Sequence, residues 1–291
     1  MFSKILVCLD GSEGALTAAI MGAQIAQKFH SAVLLIHVFM GGNWEFAIGQ
    51  DEIDSYTEEA QRILEEHAGK IFREAGLQCE TLLEYGHSAE AITRAAAQHK
   101  VDLIVLGGRG LSSVQAFLMG SISEQVLHHA HCPVLIVRGC HTPQQAPQWQ
   151  QLLLASDGSE GACQAAGFAV EIAQKFAASL CVLNVLEVSS LSYTLSPYPA
   201  ADSETLSVRA GHLLDKITEE VGKEAIKAGV PRSFHQVTGY PAEIVVSFAE
   251  RDGTDLIVLG CRGRGTFKSL LLGSVSNRVA HHAHCSVLVT R

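Results

Sequence analysis

The feature that most constrains this chain is that it is written twice. Asp10-Gly-Ser-Glu-Gly-Ala15 recurs as Asp157-Gly-Ser-Glu-Gly-Ala162, and Ile25-Ala-Gln-Lys-Phe29 recurs as Ile172-Ala-Gln-Lys-Phe176. Gly86-His-Ser-Ala-Glu90 matches Gly239-Tyr-Pro-Ala-Glu243. The ends match best, Gly120 to Leu135 against Gly273 to Leu288. A repeat of this length means two copies of one fold, not a solenoid of small units. The offset between copies is 147 residues early and 153 late, so the second copy is enlarged in its middle, near Ser189 to Ser207. Between the copies, Gly139 to Gln150 is polar, holds Pro143 and Pro147 and lacks apolar periodicity. It is expected to be a linker, giving domains over 1–138 and 151–291 with 139–150 between them. Each is close to the usual domain size.

Within a copy, short apolar runs alternate with helical patterns. Ile5 to Leu9 and Ala32 to Val38 are continuous apolar runs, as in strands buried on both faces. A helix is expected from Ser12, which can cap it, to about Phe29. A second is expected from about Asp54 to Ala75, with Ala60, Ile63, Leu64, His67, Ile71, Phe72 and Ala75 at helical spacing. A third strand is expected over Gln78 to Tyr85, a third helix over Ser88 to His99 and a fourth strand over Asp102 to Leu106. A helix over Ser121 to Ala130 and a fifth strand over Pro133 to Arg138 complete the copy. This alternation predicts an α/β fold, a parallel sheet covered on both faces. Ligands of such sheets sit at the carboxyl ends of the strands, where strand order reverses.

At that end lies a glycine-rich stretch. Gly107-Gly-Arg-Gly-Leu-Ser-Ser-Val-Gln-Ala-Phe-Leu-Met-Gly-Ser121 and Gly260-Cys-Arg-Gly-Arg-Gly-Thr-Phe-Lys-Ser-Leu-Leu-Leu-Gly-Ser274 both read Gly-x2-Gly-x9-Gly-Ser. Glycine lets backbone amides approach an anion, and the helix that follows opens with unpaired amides and a favourable dipole. A phosphate is the expected ligand. Two motifs that would give a different nucleotide site are absent. The Walker loop needs Gly before Lys, and Phe267 precedes Lys268. The first strand is not followed by Gly-x-Gly-x-x-Gly. Two plainer explanations stand beside the phosphate: Ser121-x-x-Glu124 is also a capping box, and Asp10 and Asp157 are common turn residues.

With these residues in view, the chain resembles the universal stress protein family in its tandem form. The resemblance rests on Gly-x2-Gly-x9-Gly-Ser after the fourth strand, Asp-Gly-Ser after the first, and His-Ala-x-Cys-x-Val-Leu into the last. It implies two tandem Rossmann-like domains of the adenine nucleotide alpha hydrolase-like type, each a five-stranded parallel sheet of order 3-2-1-4-5 flanked by helices. It implies ATP as ligand, often with a divalent ion such as Mg or Mn on the phosphates, and pairing of the two domains through their fifth strands. Association of two such chains stays open. By position, Asp10 should face the adenosine, the backbone of Val38 the adenine edge, and Leu106 should lie close to it. Gly107, Arg109 and Gly110 should wrap the ribose and α-phosphate, and Gly120, Ser121, Ile122 and Ser123 the outer phosphates. In the second domain these roles fall to Asp157, Val185, Leu259, Gly260, Arg262, Gly263, Gly273, Ser274, Val275 and Ser276.

Other chemistry is less well supported. His128-His-Ala-His-Cys132 and His281-His-Ala-His-Cys285 hold metal-ligand residue types, so His131, Cys132, His284 and Cys285 are weak metal candidates. Adjacent helical histidines, however, point in different directions. No nucleophile, base and orienting group stand out as a set, so hydrolysis is expected to be weak or absent. The alternatives to a nucleotide-dependent sensor are a slow ATPase and a nucleotide-free interaction scaffold. Net charge is −9 in 291 residues, against nucleic acid as partner. No apolar run approaches the roughly 20 residues of a membrane span. With no signal-peptide pattern, a cytoplasmic location is expected. The eight cysteines form no Cys-x2-Cys pair and are expected to be reduced.

Overall fold

The computed structural model describes residues 1–40, 57–108, 119–138, 148–187, 215, 217–219, 221–263 and 272–291. The chain divides into two compact units, Met1–Gln148 and Trp149–Arg291, save that Ser286–Leu288 group with the first.

In the first unit, β1 is Lys4–Leu9, α1 Glu13–Phe29 and β2 Ala32–Met40. Helix α2 follows over residues 57–74, β3 is Cys79–Gly86 and α3 Ser88–Gln98. Then come β4 at Leu103–Gly107, α4 at Ser121–His129 and β5 at Val134–Val137. The strand order is β3-β2-β1-β4-β5, and every neighbouring pair is parallel. Chain order reverses between β1 and β4, which fixes where a ligand can enter. Helix α1 packs with α2, and α3 with α4. These two pairs cover the sheet, so β1, β4 and β5 bury consecutive residues instead of alternate ones.

The second unit has the same parts. Strand β6 is Gln151–Ala155, α5 Glu160–Phe176 and β7 Ser179–Glu187. Helix α6 runs over residues 221–228, β8 is Arg232–Gly239 and α7 Pro241–Asp252. Strand β9 is Leu256–Gly260, α8 Ser274–His282 and β10 Ser286–Thr290. Its order is β8-β7-β6-β9-β10. The 3-2-1-4-5 order implied by the resemblance is therefore present in both units.

Small devices are copied too. Phe2 meets Phe29 edge-on with ring centroids 5.1 Å apart, and at the same positions Trp149 meets Phe176 at 4.8 Å. The Gln27 amide donates to the Ala75 carbonyl at 2.8 Å, and Gln174 to Ala228 at 3.3 Å.

One element departs from expectation. Helix α2 is not regular throughout, because Ile63–Ala68 is π-helical. The Gly69 amide donates five residues back, to Leu64, and the Arg73 guanidinium donates to the Glu65 carbonyl at 2.9 Å. A side chain on Gly69 would start 3.0 Å from the Leu64 oxygen, so glycine permits the wider turn.

The segment around Ser189 to Ser207, and the start of the second helix near Asp54, lie outside the described residues. No described helix is long and apolar enough to cross a membrane.

Candidate functional site

Each domain builds its site from three chain segments at the carboxyl end of its sheet. The first is the turn after the leading strand. Gly11, at φ +82°, bends the chain there. The Asp10 carboxylate accepts the Ser12 amide at 3.0 Å, and the Ser12 hydroxyl accepts the Ala15 amide at 3.1 Å, capping α1. In the second domain the Asp157 carboxylate accepts the Ser159 amide at 3.0 Å, and Ser159 caps α5 through Ala162 at 3.3 Å. The expected cap is therefore present. The two aspartates hold the turn with one oxygen each.

The second segment is the end of β4 or β9. A Cβ on Gly107 would lie 2.6 Å from the carbonyl carbon of Gly14 and 2.7 Å from its oxygen. A Cβ on Gly260 would lie 2.7 Å from the same two atoms of Gly161. Backbone touches backbone at both places, and only glycine fits. This contact brings the Asp turn and the glycine loop together. Gly14 and Gly161 are candidate site residues that the motifs did not single out. Their signal was available in the repeated Asp-Gly-Ser-Glu-Gly-Ala, whose second glycine has no role in the turn.

The third segment is the start of α4 or α8. Its N-cap is Gly120 or Gly273, extended at ψ 149° and 150°, and no side chain caps either helix. The capping-box explanation of Ser121 thus fails, because Ser121 and Ser274 are already the first helical residues. They are exposed. Each helix start is tied down by other means. The Gly120 amide donates to Gly108 O at 3.0 Å, and the Gly273 amide to Cys261 O at 2.8 Å. The Ser123 hydroxyl donates to Gly107 O at 2.9 Å, and Ser276 to Gly260 O at 2.7 Å. Both serines are buried, so those hydroxyls brace the loop from inside and are not turned to a ligand. The amides of Ser121, Ile122 and Ser123, and of Ser274, Val275 and Ser276, form the uncapped end of a helix, where the dipole favours an anion.

The remaining candidates divide as follows. Leu106 and Leu259 are buried in β4 and β9, directly before the loop. Val38 and Val185 are half-buried at the ends of β2 and β7, opposite Glu84 and Val237. Arg262 is exposed, and its carbonyl accepts the Ser159 hydroxyl at 3.4 Å. Gly263 lies against the aspartate, since a Cβ there would be 2.5 Å from Asp157 Oδ2. Arg109 and Gly110 lie outside the described residues.

The weak metal candidates sit elsewhere. His131 and Cys132 precede β5, His284 and Cys285 precede β10, and His128, His129, His281 and His282 end their helices, away from the loop. Among the described residues no three His, Cys, Asp or Glu side chains gather to hold a metal ion. Cys8, Cys79, Cys132, Cys163, Cys181, Cys261 and Cys285 form no disulfide. Burial, with Cys132 and Asp10 nearby, pushes the Cys8 thiol far above its ordinary range, which suits packing and not nucleophilic attack.

Known proteins agree with this architecture. The model of the universal stress protein family matches residues 1–138 and again 148–291. A universal stress protein of Mycolicibacterium smegmatis is 29% identical over 297 residues, covering 99% of this chain and 96% of its own length. One of Thermus aquaticus is 38% identical over 143 residues, which is 47% of this chain and all of that protein. The crystal structure of a universal stress protein from Archaeoglobus fulgidus superposes with a TM-score of 0.71 at 24% identity, covering 99% of this chain and 96% of that one. Two consecutive matches spanning nearly every residue, on a duplicated sheet of the expected order, place this chain in the universal stress protein family as a tandem of two such domains.

Proposed function

We propose that this chain is an ATP-binding sensor or regulator of a stress response, holding one adenine nucleotide at each glycine loop with little or no turnover. The observation that carries this reading is the uncapped start of α4 and α8. In both domains a helix begins at a glycine with no side-chain cap. That helix is braced from behind by Ser123 or Ser276 and lies beside the Asp turn through the Gly107–Gly14 or Gly260–Gly161 contact. A helix end so built leaves its first amides for an external anion. The phosphates would meet the amides of Ser121, Ile122 and Ser123, or of Ser274, Val275 and Ser276. The exposed Ser121 and Ser274 hydroxyls would donate to a phosphate oxygen or to water on a divalent ion. Gly107, Arg109 and Gly110, with Gly260, Arg262 and Gly263, would wrap the ribose and α-phosphate. The carboxylates of Asp10 and Asp157 would accept from the ribose. Val38, Leu106, Val185 and Leu259 would line the base.

Mass spectrometry of what leaves the purified protein on denaturation tests this, together with thermal melting with MgATP. ATP in the released fraction and a raised melting temperature are expected, both lost in a Gly110→Glu, Gly263→Glu double variant. Absence of nucleotide and an unmoved melting temperature would leave the interaction-scaffold alternative. Steady phosphate release from MgATP would turn the reading to a slow ATPase. The domain limits 1–138 and 151–291, a cytoplasmic location and pairing of the domains through their last strands belong to the same proposal. A protease site placed between Gly139 and Gln148 tests the pairing: the two cut fragments are expected to co-elute in size-exclusion chromatography.

A further inference from the structure

One position in each domain makes the same unusual bond with a different side chain. His37 in β2 lies opposite Leu9, the last residue of β1, and its Nδ1 is 2.8 Å from the Leu9 carbonyl oxygen. At the matching position in β7, the Asn184 amide donates to the Ser156 carbonyl at 2.8 Å. A carbonyl can only accept, so the His37 proton is on Nδ1. Both acceptors belong to the peptide group that leads into the site aspartate, Leu9–Asp10 or Ser156–Asp157. From there the bonds run on: the aspartate accepts Ser12 or Ser159, and that serine caps the next helix.

Each donor is itself oriented. The His37 ring meets Phe39 edge-on with centroids 5.3 Å apart. Asn184 is 1% exposed, and its Oδ1 accepts the Gln236 amide at 2.9 Å, which fixes which end of the carboxamide faces Ser156. An imidazole and a carboxamide share little except a planar N–H donor at comparable reach. That both are aimed at the same carbonyl in two diverged copies points to the bond, and not to the side chain, as the common requirement.

We propose that residue 37 in the first domain and residue 184 in the second are positioning residues of the nucleotide site, anchoring the peptide that aims Asp10 or Asp157. This rests on the nucleotide reading above. It adds a role outside the glycine loop, on a strand whose contribution was otherwise the backbone and side chain of Val38 or Val185.

The test uses the full chain carrying Gly263→Glu, so that MgATP titrated by calorimetry reports the first site. His37→Ala is expected to weaken binding about tenfold, the scale of one lost hydrogen bond that leaves its acceptor unpaired. His37→Asn, which copies the second domain, should bind within about twofold of the parent. Hydrogen exchange without nucleotide supplies the second readout. The Ser12 amide reports directly on the Asp10 carboxylate. It should lose protection in His37→Ala and regain it in His37→Asn. Equal affinity for parent and His37→Ala, or failure of His37→Asn to rescue either readout, would overturn the proposal. If the parent binds no MgATP, the nucleotide reading falls, and the exchange pair still decides whether His37 anchors Asp10.

Discussion

At Gly107 and Gly260 even a methyl group has nowhere to go. The atoms in its path are the Gly14 and Gly161 peptide groups, which cannot swing aside as a flexible side chain could. Gly107→Ala and Gly260→Ala are expected to lower unfolding free energy by about 1–3 kcal/mol each, the usual cost of overpacking. Urea denaturation followed by circular dichroism measures this. The same variants should lose nucleotide, because they push the loop away from the Asp turn. Thiol reactivity is a second residue-scale expectation. Cys163 is exposed, whereas burial raises the Cys8, Cys79 and Cys181 thiols above their ordinary value. At pH 8 a disulfide reagent should label Cys163 before Cys79 and Cys181, and Cys8 only on unfolding, with the order read by mass spectrometry of digested protein. The motifs named the glycines of the loop, but not the Gly14 and Gly161 they press against. Sequence spacing encodes neighbours along the chain, and this contact joins residues 93 and 99 positions apart. Ser123 shows the same limit: the resemblance assigns it to the outer phosphates, yet its hydroxyl faces inward to Gly107.

Elements were more legible than contacts, because strand runs and helix caps are local. Helix α1 begins after Ser12 and ends at Phe29, as its cap and periodicity predict. The π-helical turn in α2 was not legible. The apolar residues from Ala60 to Ala75 keep faces compatible with a regular helix, and one extra residue in a turn leaves no mark in that pattern. What frees it is the absence of a side chain at Gly69 and the reach of Arg73 to Glu65. The ends of α1 and α5 hold a different tension. Both stop at a non-glycine residue in the left-handed region, His30 at φ 55° and Ala177 at φ 56°. That conformation costs a side chain about 1 kcal/mol, and glycine avoids the cost. Ala177→Gly is expected to stabilise the chain by about 0.5–1 kcal/mol, less the entropy glycine adds to the unfolded state. A rise in melting temperature is the measurement, and Ala177→Val should lower it.

At the scale of the molecule, duplication makes each domain the control for the other. The cores diverge where they are free to. In the second domain a cavity of about 170 Å³ is lined by Ser156, Cys163, Ile217 and Glu224 among others, at positions the first domain gives to Leu9, Leu16, Leu64 and Ile71. The helix starts diverge in charge. Glu124 sits in the first turn of α4, whereas the first turn of α8 has no acidic residue. Asn277 and Arg278 stand where Glu124 and Gln125 stand in the first domain. A carboxylate at a helix start competes with phosphate for the same amides and repels it. A neutral or basic residue does neither. Each charge near a helix end is worth about 0.3–1 kcal/mol when exposed. Two such changes predict that the second site holds MgATP roughly 3–30-fold tighter than the first. Calorimetry on Gly110→Glu and Gly263→Glu single variants separates the sites, and the Gly263→Glu chain should lose the tighter one. Because the difference is electrostatic and partly solvent-exposed, it should shrink as salt rises from 0.05 to about 0.5 M, where the screening length falls below 5 Å. Glu124→Asn in the Gly263→Glu chain should tighten the remaining site by about two- to fivefold at low salt. Equal affinities at low salt, or a difference that salt leaves untouched, would mean that the two helix starts do not set the preference.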